Sequence, residues 1–236
     1  MHGAILLAAG SGSRMDGFVK DKILANIQGS NAFRLSLQAF SDVSAIRTII
    51  IVFRDEEQRI ELMREIEHIE KCKMSENLLW VKGGEQRKDS VKNGLLALPD
   101  HCEFAHIHDC ARPLIRSETI EVLVNAVHEY KPITVSRPVT NTIRRVLSNS
   151  DQQNSPRKTQ TLDRKELWEM ETPQSAPKNW LIEGYERAEK LNLSLTDDMQ
   201  AIELIEKKIL LHEPSYPNPK ITYPQDLKLI NFLLSS

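Results

Sequence analysis

Short apolar segments alternate with amphipathic segments along the chain. The first is residues 3–9 (GAILLAA), a continuous apolar run that ends at a glycine-rich turn. Such a run is typical of a strand buried on both faces of a parallel sheet. Similar runs predict strands at 46–53, 78–81, 104–108 and 133–136, and helical spacing predicts helices at 56–70, 87–98 and 118–130. Strands that alternate with helices indicate βαβ units, so the predicted fold class is α/β with a doubly wound sheet.

The C-terminal part of the chain combines a polar stretch with further helical segments. Residues 148–160 (SNSDQQNSPRKTQ) contain almost no apolar side chain. Two interpretations stay open: a flexible surface loop, or the tip of a two-stranded arm, flanked by 141–147 and 159–163, that clasps a second subunit. Beyond it, the pattern predicts helices at 180–191, 197–207 and 224–234 and a strand at 208–212. We expect one domain over 1–236, with the arm at 139–165.

Composition narrows the possible functions. Of the 236 residues, 40% are hydrophobic and 27% are charged, as in globular proteins with a core. The formal net charge of −2 gives no general attraction to nucleic acid or anionic lipid, and no apolar segment approaches the ~20 residues that cross a bilayer. Cys72, Cys102 and Cys110 have no metal-like spacing, and with no signal peptide they predict reduced thiols in a cytoplasmic protein.

The turn after the first predicted strand reads AAGSGSRM at 8–15. Gly10 and Gly12 allow backbone N–H groups to approach a phosphate closely, and Arg14, followed by Lys20 and Lys22, adds positive charge suited to a triphosphate. A dinucleotide-binding loop would need a third glycine where methionine stands, and the Gly-Lys-Ser/Thr of a P-loop is absent. The alternative is a simple strand-to-helix turn with solvated cations.

A second glycine turn reads GGEQRKDS at 83–90 and leads into a predicted helix. Paired glycines expose backbone groups that are able to read the edge of a flat base. The same residues also fit an ordinary capped helix start, and the sequence does not separate the two interpretations.

A third motif, HIHDCARP at 106–113, lies at the C-terminal end of a predicted strand. Ligands of open α/β sheets bind at that edge, so Asp109 and Arg112 face the expected site. The carboxylate of Asp109 suits a magnesium ion that bridges nucleotide phosphates. His106 and His108 alternate onto one strand face, but no third soft ligand has suitable spacing for zinc, so packed and hydrogen-bonded histidines are favoured.

Taken in order, these motifs resemble the 2-C-methyl-D-erythritol 4-phosphate cytidylyltransferase family of non-mevalonate isoprenoid biosynthesis. The resemblance covers nearly the whole chain and rests on LLAAGSGSRM, GGEQRKDSVKNGL, HIHDCARPLI, PVTNTIRR, LDRKELW, TPQ, TDD and NPKIT followed by PQDL. It implies a Rossmann-like, mostly parallel sheet flanked by helices, with a protruding β-arm for dimerisation and hence a homodimer. It also implies that the acceptor's phosphate attacks the α-phosphorus of CTP, with Mg2+ present, and releases pyrophosphate.

The resemblance implies a role for each matching residue. Arg14 and Lys22 would stabilise charge at the attacked phosphorus, while Arg164, on the arm, and Lys220 would hold the attacking phosphate. The residues lining the cytidine triphosphate would be Ala8, Ala9, Gly10, Gly12, Gly84, Glu85, Ser90 and the backbone at Cys110. The residues contacting the methylerythritol phosphate or the metal would be Asp109, Arg112, Thr142, Thr172 and Thr196, with Asp109 as the metal ligand.

Several positions depart from the family's usual pattern. The segment VKDKI at 19–23 has one apparent insertion, and the apolar run that follows Lys22 identifies it as the family's lysine, with Lys20 as the alternative. Asn141 stands where Asp is usual, Arg144 where Lys is usual, and Pro219 removes a backbone donor just before the acceptor-binding lysine. Two other functions therefore stay open: a pentitol-phosphate enzyme such as a ribitol-5-phosphate cytidylyltransferase, and a non-catalytic nucleotide-binding relative.

Overall fold

The computed structural model describes residues 1–10, 15, 19–69, 77–147 and 156–235. Its strands, in chain order, are β1 (His2–Leu7), β2 (Ile46–Phe53), β3 (Leu78–Lys82), β4 (Phe104–Asp109), β5 (Ile133–Pro138), β6 (Arg144–Val146), β7 (Thr159–Thr161), β8 (Trp168–Pro177) and β9 (Leu210–His212). Its helices are α1 (Ala32–Ser41), α2 (Glu56–Glu67), α3 (Arg87–Ala97), α4 (Ser117–His128), α5 (Lys178–Lys190), α6 (Met199–Leu204) and α7 (Pro224–Ser235).

Within the described residues, seven strands form one sheet in the order β3-β2-β1-β4-β8-β5-β9. All neighbouring strands run parallel except at β8, which is antiparallel to both β4 and β5. The predicted α/β class with a mostly parallel sheet is therefore confirmed. Because β1 lies between β2 and β4, the segments that follow these three strands meet at one edge of the sheet.

Both faces of the sheet are buried, as the continuous apolar runs predict. Leu6 packs with Phe40 of α1 in a core on one face, while its neighbour Ile5 packs with Leu181 of α5 on the other. All four side chains are fully buried. Burying each one stabilises the fold by about 1.5 to 3 kcal/mol, so the central strands are rigid supports for the segments at their ends.

Three elements differ from the sequence prediction. The hydrophobic pattern predicts neither α1 nor β8, and α6 is shorter than the predicted helix at 197–207. Glu206, two residues after the last residue of α6, has a φ of 60°, in the left-handed region. A residue in that conformation does not continue a right-handed helix, which explains the early end.

A two-stranded ribbon projects from the chain after β5. Strands β6 and β7 pair antiparallel, with Arg144 opposite Thr161 and Val146 opposite Thr159. Every residue of both strands is exposed. The predicted pair of strands is present, while the tip at 148–155 lies outside the described residues.

Candidate active site

A cavity of about 440 Å³ opens at the edge where β1, β2, β3 and β4 end. Its wall includes nine of the residues predicted for the site: Ala8, Ala9, Gly10, Lys22, Gly84, Glu85, Ser90, Asp109 and Lys220. Two of the other predicted residues, Gly12 and Arg14, lie outside the described residues. The structure thus brings segments from both ends of the chain to one concave surface.

The second glycine turn fits tightly against its surroundings. The N–H of Gly83 donates to the carbonyl of Phe53 at 2.7 Å, and the N–H of Gly84 donates to Oγ of Ser90 at 3.1 Å. A Cβ on Gly83 would lie 2.8 Å from the Cβ of Ala9, so a side chain there would push the two turns apart. The glycines therefore let the turns after β1 and β3 approach each other across the cavity.

Helix α3 begins directly after this turn. The N–H of Gln86 donates to Oδ2 of Asp89 at 2.9 Å, which satisfies one of the otherwise unpaired donors at the helix start. The segment at 83–90 is therefore both a capped helix start and part of the cavity wall. The two interpretations of this motif are compatible.

The structure places Lys20 and Lys22 differently. Lys22 is buried in the cavity wall, and its Nζ donates to the carbonyl of Ile221 at 3.1 Å. Lys20 is exposed and pairs with Glu57 at 2.7 Å and Glu61 at 2.8 Å on α2. Among the described cations of this segment, Lys22 is therefore the one at the cavity.

Asp109, at the end of β4, connects two cations. Its Oδ1 accepts a hydrogen bond from Nε of Arg87 at 3.1 Å, and its Oδ2 pairs with Nζ of Lys220. Burial by itself raises the pKa of this carboxyl, but the charges of Arg87 and Lys220 outweigh that effect and lower the pKa well below its usual range. Asp109 is therefore ionised and fixes two positive side chains at the cavity wall.

Arg87 also binds a second, fully buried carboxylate. Its two terminal nitrogens donate to Asp198 at 3.0 and 2.8 Å, and the hydroxyl of Tyr185 donates to the same carboxylate at 2.6 Å. Burial lowers the pKa of Arg87, but the charges of Asp198 and Asp109 raise it by more, so the pKa lies above its usual value. This network is absent from the roles inferred from sequence, because Arg87 and Asp198 are 111 residues apart.

The two strand histidines are buried and hydrogen-bonded. His106 contacts Oγ of Ser175 at 2.8 Å and Nδ1 of His2 at 3.0 Å. Nε2 of His108 faces the carbonyl of Arg112 at 3.2 Å, and its Nδ1 lies 3.1 Å from Oγ1 of Thr172. A carbonyl only accepts, so Nε2 of His108 carries the proton and Nδ1 accepts from the threonine.

Thr172 thereby supports Asp109 from inside the sheet. Its Oγ1 accepts the backbone N–H of Asp109 at 3.1 Å while its hydroxyl proton is directed to His108. Thr172 is buried in β8, and the described residues lining the cavity do not include it. Its place is behind the cavity wall.

Other predicted site residues also lie away from the described cavity wall. The N–H of Cys110 donates to the carbonyl of Leu7 at 3.2 Å, and Nη1 of Arg112 donates to the carbonyl of Asn218 at 3.0 Å. Thr142 and Thr196 are exposed, and Arg164 is exposed with its guanidinium bound to the carbonyl of Thr140. The structure of one chain therefore does not bring the arm residues to the cavity.

The described cavity wall has an excess of positive charge. Four of its side chains are cationic and two are acidic: Lys22, Arg54, Arg87 and Lys220 against Glu85 and Asp109. Arg54 was not predicted; it follows β2, whose end meets the same edge as β1 and β4. A small concave site with fixed cations fits a polyanion.

Comparison with known proteins agrees with this geometry. The family model described as "IspD: 2-C-methyl-D-erythritol 4-phosphate cytidylyltransferase" matches residues 3–236. The 2-C-methyl-D-erythritol 4-phosphate cytidylyltransferases of Caldanaerobacter subterraneus subsp. tengcongensis and Dictyoglomus thermophilum are each 34% identical to the chain. The alignments cover 98% of the chain in both cases, and 97% and 95% of the relatives.

Solved structures show the same fold. The 4-diphosphocytidyl-2C-methyl-D-erythritol synthase of Anaerococcus prevotii superposes with a TM-score of 0.81 at 25% identity, covering 100% of this chain and 96% of that one. The 2-C-methyl-D-erythritol 4-phosphate cytidylyltransferase of Thermus thermophilus gives a TM-score of 0.74 at 21% identity, with 100% of both chains covered. None of the helices in the described part of the chain has the length and apolar character needed to span a membrane. This chain belongs to the 2-C-methyl-D-erythritol 4-phosphate cytidylyltransferase family.

Proposed function

We propose that the cavity binds CTP and transfers its cytidylyl group to 2-C-methyl-D-erythritol 4-phosphate. The products are 4-diphosphocytidyl-2-C-methyl-D-erythritol and pyrophosphate, in non-mevalonate isoprenoid biosynthesis. The observation that carries the proposal is the meeting of two glycine turns with Lys22 and Lys220 around one cavity at the strand ends. The named relatives favour this acceptor over ribitol 5-phosphate and over a non-catalytic role.

The reaction is an in-line displacement at phosphorus. A phosphate oxygen of the acceptor forms a bond to the α-phosphorus of CTP, and the bond from that phosphorus to the bridging oxygen of the β-phosphate breaks. Negative charge grows on the oxygens around the α-phosphorus and on the leaving pyrophosphate. Lys22 is suited to stabilise that charge, because it is a fixed cation in the wall beside Ala8 and Gly10.

Lys220 is suited to hold the attacking phosphate. Its ammonium lies at the cavity wall and is fixed by Asp109, whose other oxygen is held by Arg87. Because the Lys220 ammonium is already oriented, it loses little conformational entropy when it binds the phosphate. The acceptor is therefore placed close to the α-phosphorus at a small entropic cost. Arg164 would complete this phosphate subsite from the arm.

The described residues fit a magnesium ion that is held mainly by the nucleotide. They contain no group of three His, Cys, Asp or Glu side chains able to hold a metal. Asp109 supplies one carboxylate at the cavity wall, and magnesium commonly takes one or two carboxylates together with substrate phosphates and water. When bound, the ion would neutralise phosphate charge, while Asp109 would orient it and Lys220 together.

The arm supports a homodimer as the active form. Among the described residues of a single chain, β6 and β7 pair only with each other and are exposed throughout, and Arg164 donates to the backbone of Thr140 rather than lining the cavity. A second copy related by twofold symmetry would bury both arms and bring each Arg164 to the partner's cavity. The buried free thiols of Cys102 and Cys110 agree with a cytoplasmic location.

The proposal is tested by measuring pyrophosphate release. The protein is incubated with Mg2+, each of the four ribonucleoside triphosphates and either 2-C-methyl-D-erythritol 4-phosphate or ribitol 5-phosphate, and the product is identified by mass spectrometry. We expect turnover with CTP and the methylerythritol phosphate, and far less with the other combinations. Faster turnover with ribitol 5-phosphate would reassign the acceptor, and absence of turnover with both would refute catalysis.

A further inference from the structure

A buried glutamine connects three segments beside the cavity. Gln58 lies in the first turn of α2 and is fully buried. Its Nε2 donates to the carbonyl of Ala8 at 2.9 Å and to Oδ2 of Asp21 at 2.6 Å, while its Oε1 accepts the N–H of Arg54 at 2.7 Å. One side chain thus joins the glycine turn after β1, the segment that carries Lys22, and the end of β2.

Asp21, directly before Lys22, is the centre of this cluster. Its side chain is 3% exposed. Oδ1 accepts the N–H of Ile23 at 3.2 Å, and Oδ2 accepts from Gln58 and from Nη1 of Arg54 at 3.3 Å. The residues on both sides of Lys22 are therefore held by the same carboxylate.

Backbone hydrogen bonds also hold the segment around Lys22. The N–H of Leu24 donates to the carbonyl of Asp21 at 3.2 Å, and the carbonyl of Ile23 accepts the N–H of Phe33 at 3.1 Å. The segment runs between β1 and α1 without strand or helix of its own at these positions. Its position relative to the cavity therefore depends on these few backbone hydrogen bonds together with the side-chain hydrogen bonds of Asp21 and Gln58, and a buried network with satisfied partners favours a single arrangement.

We propose that Asp21 and Gln58 are positioning residues that hold Lys22 against the nucleotide turn at Ala8 for the transfer reaction. This inference rests on the proposed function. Lysine is a long and flexible side chain, so its ammonium reaches a reproducible position only if its Cα is fixed. The cluster fixes that Cα relative to Ala8, because Gln58 donates hydrogen bonds to both Asp21 and the carbonyl of Ala8. Gln58 therefore connects the segment that carries the cation to the turn proposed to bind the phosphates.

The carboxylate of Asp21 is specifically required. Both of its oxygens accept hydrogen bonds: one from the N–H of Ile23, the other from Gln58 and Arg54. An asparagine of the same shape would have to turn its NH2 group toward one of these donors, whichever way its amide is oriented. Asp21→Asn therefore disrupts the cluster without changing the size of the side chain.

The test compares Asp21→Asn and Gln58→Met with the wild-type protein in the pyrophosphate assay. The matched control is Glu61→Gln, the same carboxylate-to-amide change one turn along α2 on a side chain that pairs with Lys20. For each protein we measure kcat, KM for both substrates, the dissociation constant of CTP and the melting temperature. Activity is expressed per folded protein, from circular dichroism.

We expect Asp21→Asn to lower kcat by about 10- to 100-fold, because a catalytic group displaced by about 1 Å loses rate on that scale. The KM values and the CTP dissociation constant should change by no more than about threefold, since Asp21 stabilises the placement of a charge that acts in the transition state. Gln58→Met should lower kcat and also weaken CTP binding, because it releases Ala8 as well. Glu61→Gln should match the wild type.

The outcomes separate this inference from the proposed function. A wild-type protein without turnover would overturn the proposed function and this inference with it. If the wild type is active and Asp21→Asn is equally active, the inference is overturned while the proposed function stands. The same conclusion follows if Asp21→Asn has a lower melting temperature but an unchanged kcat. A loss confined to CTP affinity would make Asp21 a binding residue rather than a positioning residue. If Gln58→Met does not fold, Asp21→Asn, which alters a turn and not a helix, decides the question.

Discussion

Arg87 binds Asp198 through two parallel hydrogen bonds, at 3.0 and 2.8 Å, and at the same time donates its Nε to Asp109. The pair joins the first turn of α3 to the residue that precedes α6, while Asp109 belongs to the cavity wall. The hydroxyl of Tyr185 in α5 completes the coordination of Asp198. The cavity is therefore anchored to the helices on one face of the sheet by an ionic network around the buried carboxylate of Asp198.

Asp198→Ala should destabilise the protein by about 1 to 3 kcal/mol, because it leaves the buried hydroxyl of Tyr185 and the partly exposed guanidinium of Arg87 without their carboxylate, while Arg87 keeps Asp109. Urea unfolding followed by circular dichroism measures this change. Asp100→Ala, which alters an exposed aspartate, is the control and should change stability by less than about 0.5 kcal/mol. Equal stability of the two variants would show that the Arg87–Asp198 pair contributes nothing to folding.

Lys22→Ala should lower kcat by about 100- to 1,000-fold, the usual loss when one fixed charge-stabilising group is removed. The dissociation constant of CTP should rise much less, since the charge acts mainly in the transition state. Lys20→Ala is the matched control, because this neighbouring lysine pairs with Glu57 and Glu61 away from the cavity. Steady-state kinetics and calorimetric titration with CTP measure both quantities.

The opposite pattern would show that the aligned lysine is the wrong one. If Lys20→Ala lost activity and Lys22→Ala kept it, Lys20 would be the catalytic lysine. The inserted residue in the segment at 19–23 would then follow the catalytic lysine instead of preceding it. A loss of CTP affinity that accounts for the whole effect of Lys22→Ala would make Lys22 a binding group alone.

Much of the fold follows from local sequence, because the central strands are uniform in their environment. Ile49, Ile50 and Ile51 are all fully buried although they face opposite sides of the sheet, so an unbroken apolar run is sufficient to identify β2. Strand β8 has the opposite character. Glu171 and Gln174 are buried in it, and the side chain of Gln174 is satisfied by the backbone of Asp198 at 2.7 Å. Local periodicity does not detect a central strand whose polar side chains are paired at long range.

The same limit applies to the site. Gly10, Gly84 and Asp109 are predicted from turns and strand ends, and all three line the cavity. Arg54 and Arg87 line it too, but the charges that hold them come from Asp21 and Asp198, which are far away in sequence. Neither pairing has a local signature, so the network of cations becomes visible only after the chain folds.

Mixing two inactive variants should restore activity if the arm completes the partner's site. Lys220→Ala removes the phosphate-binding cation from the cavity, and Arg164→Ala removes the proposed one from the arm. In a heterodimer, one of the two cavities has an intact Lys220 and faces an intact arm, so random mixing should recover about a quarter of wild-type activity. Subunits are exchanged in mild denaturant and refolded, and turnover is measured against each variant refolded alone.

Recovery in that experiment requires both exchange and a shared site. Light scattering on the mixture shows whether dimers form. Dimers without recovered activity would place Arg164 outside the active site, and a monomer with full activity would exclude a role for the arm in catalysis. An unchanged KM for the acceptor in Arg164→Ala would also argue against its role in holding the phosphate.

Stability should depend on pH through a buried pair of histidines at the start of the sheet. Burial lowers the pKa of His106 to about 3, and the nearby His2 lowers it further. The pKa of His2 is lowered to about 4 by burial, by the N-terminal amino group and by His128, while Glu103 has a smaller opposite effect. Both values lie below the 6.5 of an unfolded histidine, so the unfolded chain binds protons first as the pH falls. The two histidines should make their full contribution to the free energy of unfolding above about pH 6.5. That contribution should fall as the pH decreases toward 4, with a slope approaching about 1.4 kcal/mol per pH unit for each histidine.

His106→Gln separates this effect from the titration of carboxylates. Glutamine retains a donor and an acceptor for Ser175 and His2 but does not titrate, so the variant should lose one histidine's share of the slope between pH 7 and pH 5, above the range where most carboxyl groups bind protons. The matched control is His101→Gln, the same change at an exposed histidine. Urea unfolding at half-unit steps of pH measures the slopes. If wild type and His106→Gln lost stability in parallel over this window, His106 would not be a source of the pH dependence, because a group with equal pKa in both states contributes no slope.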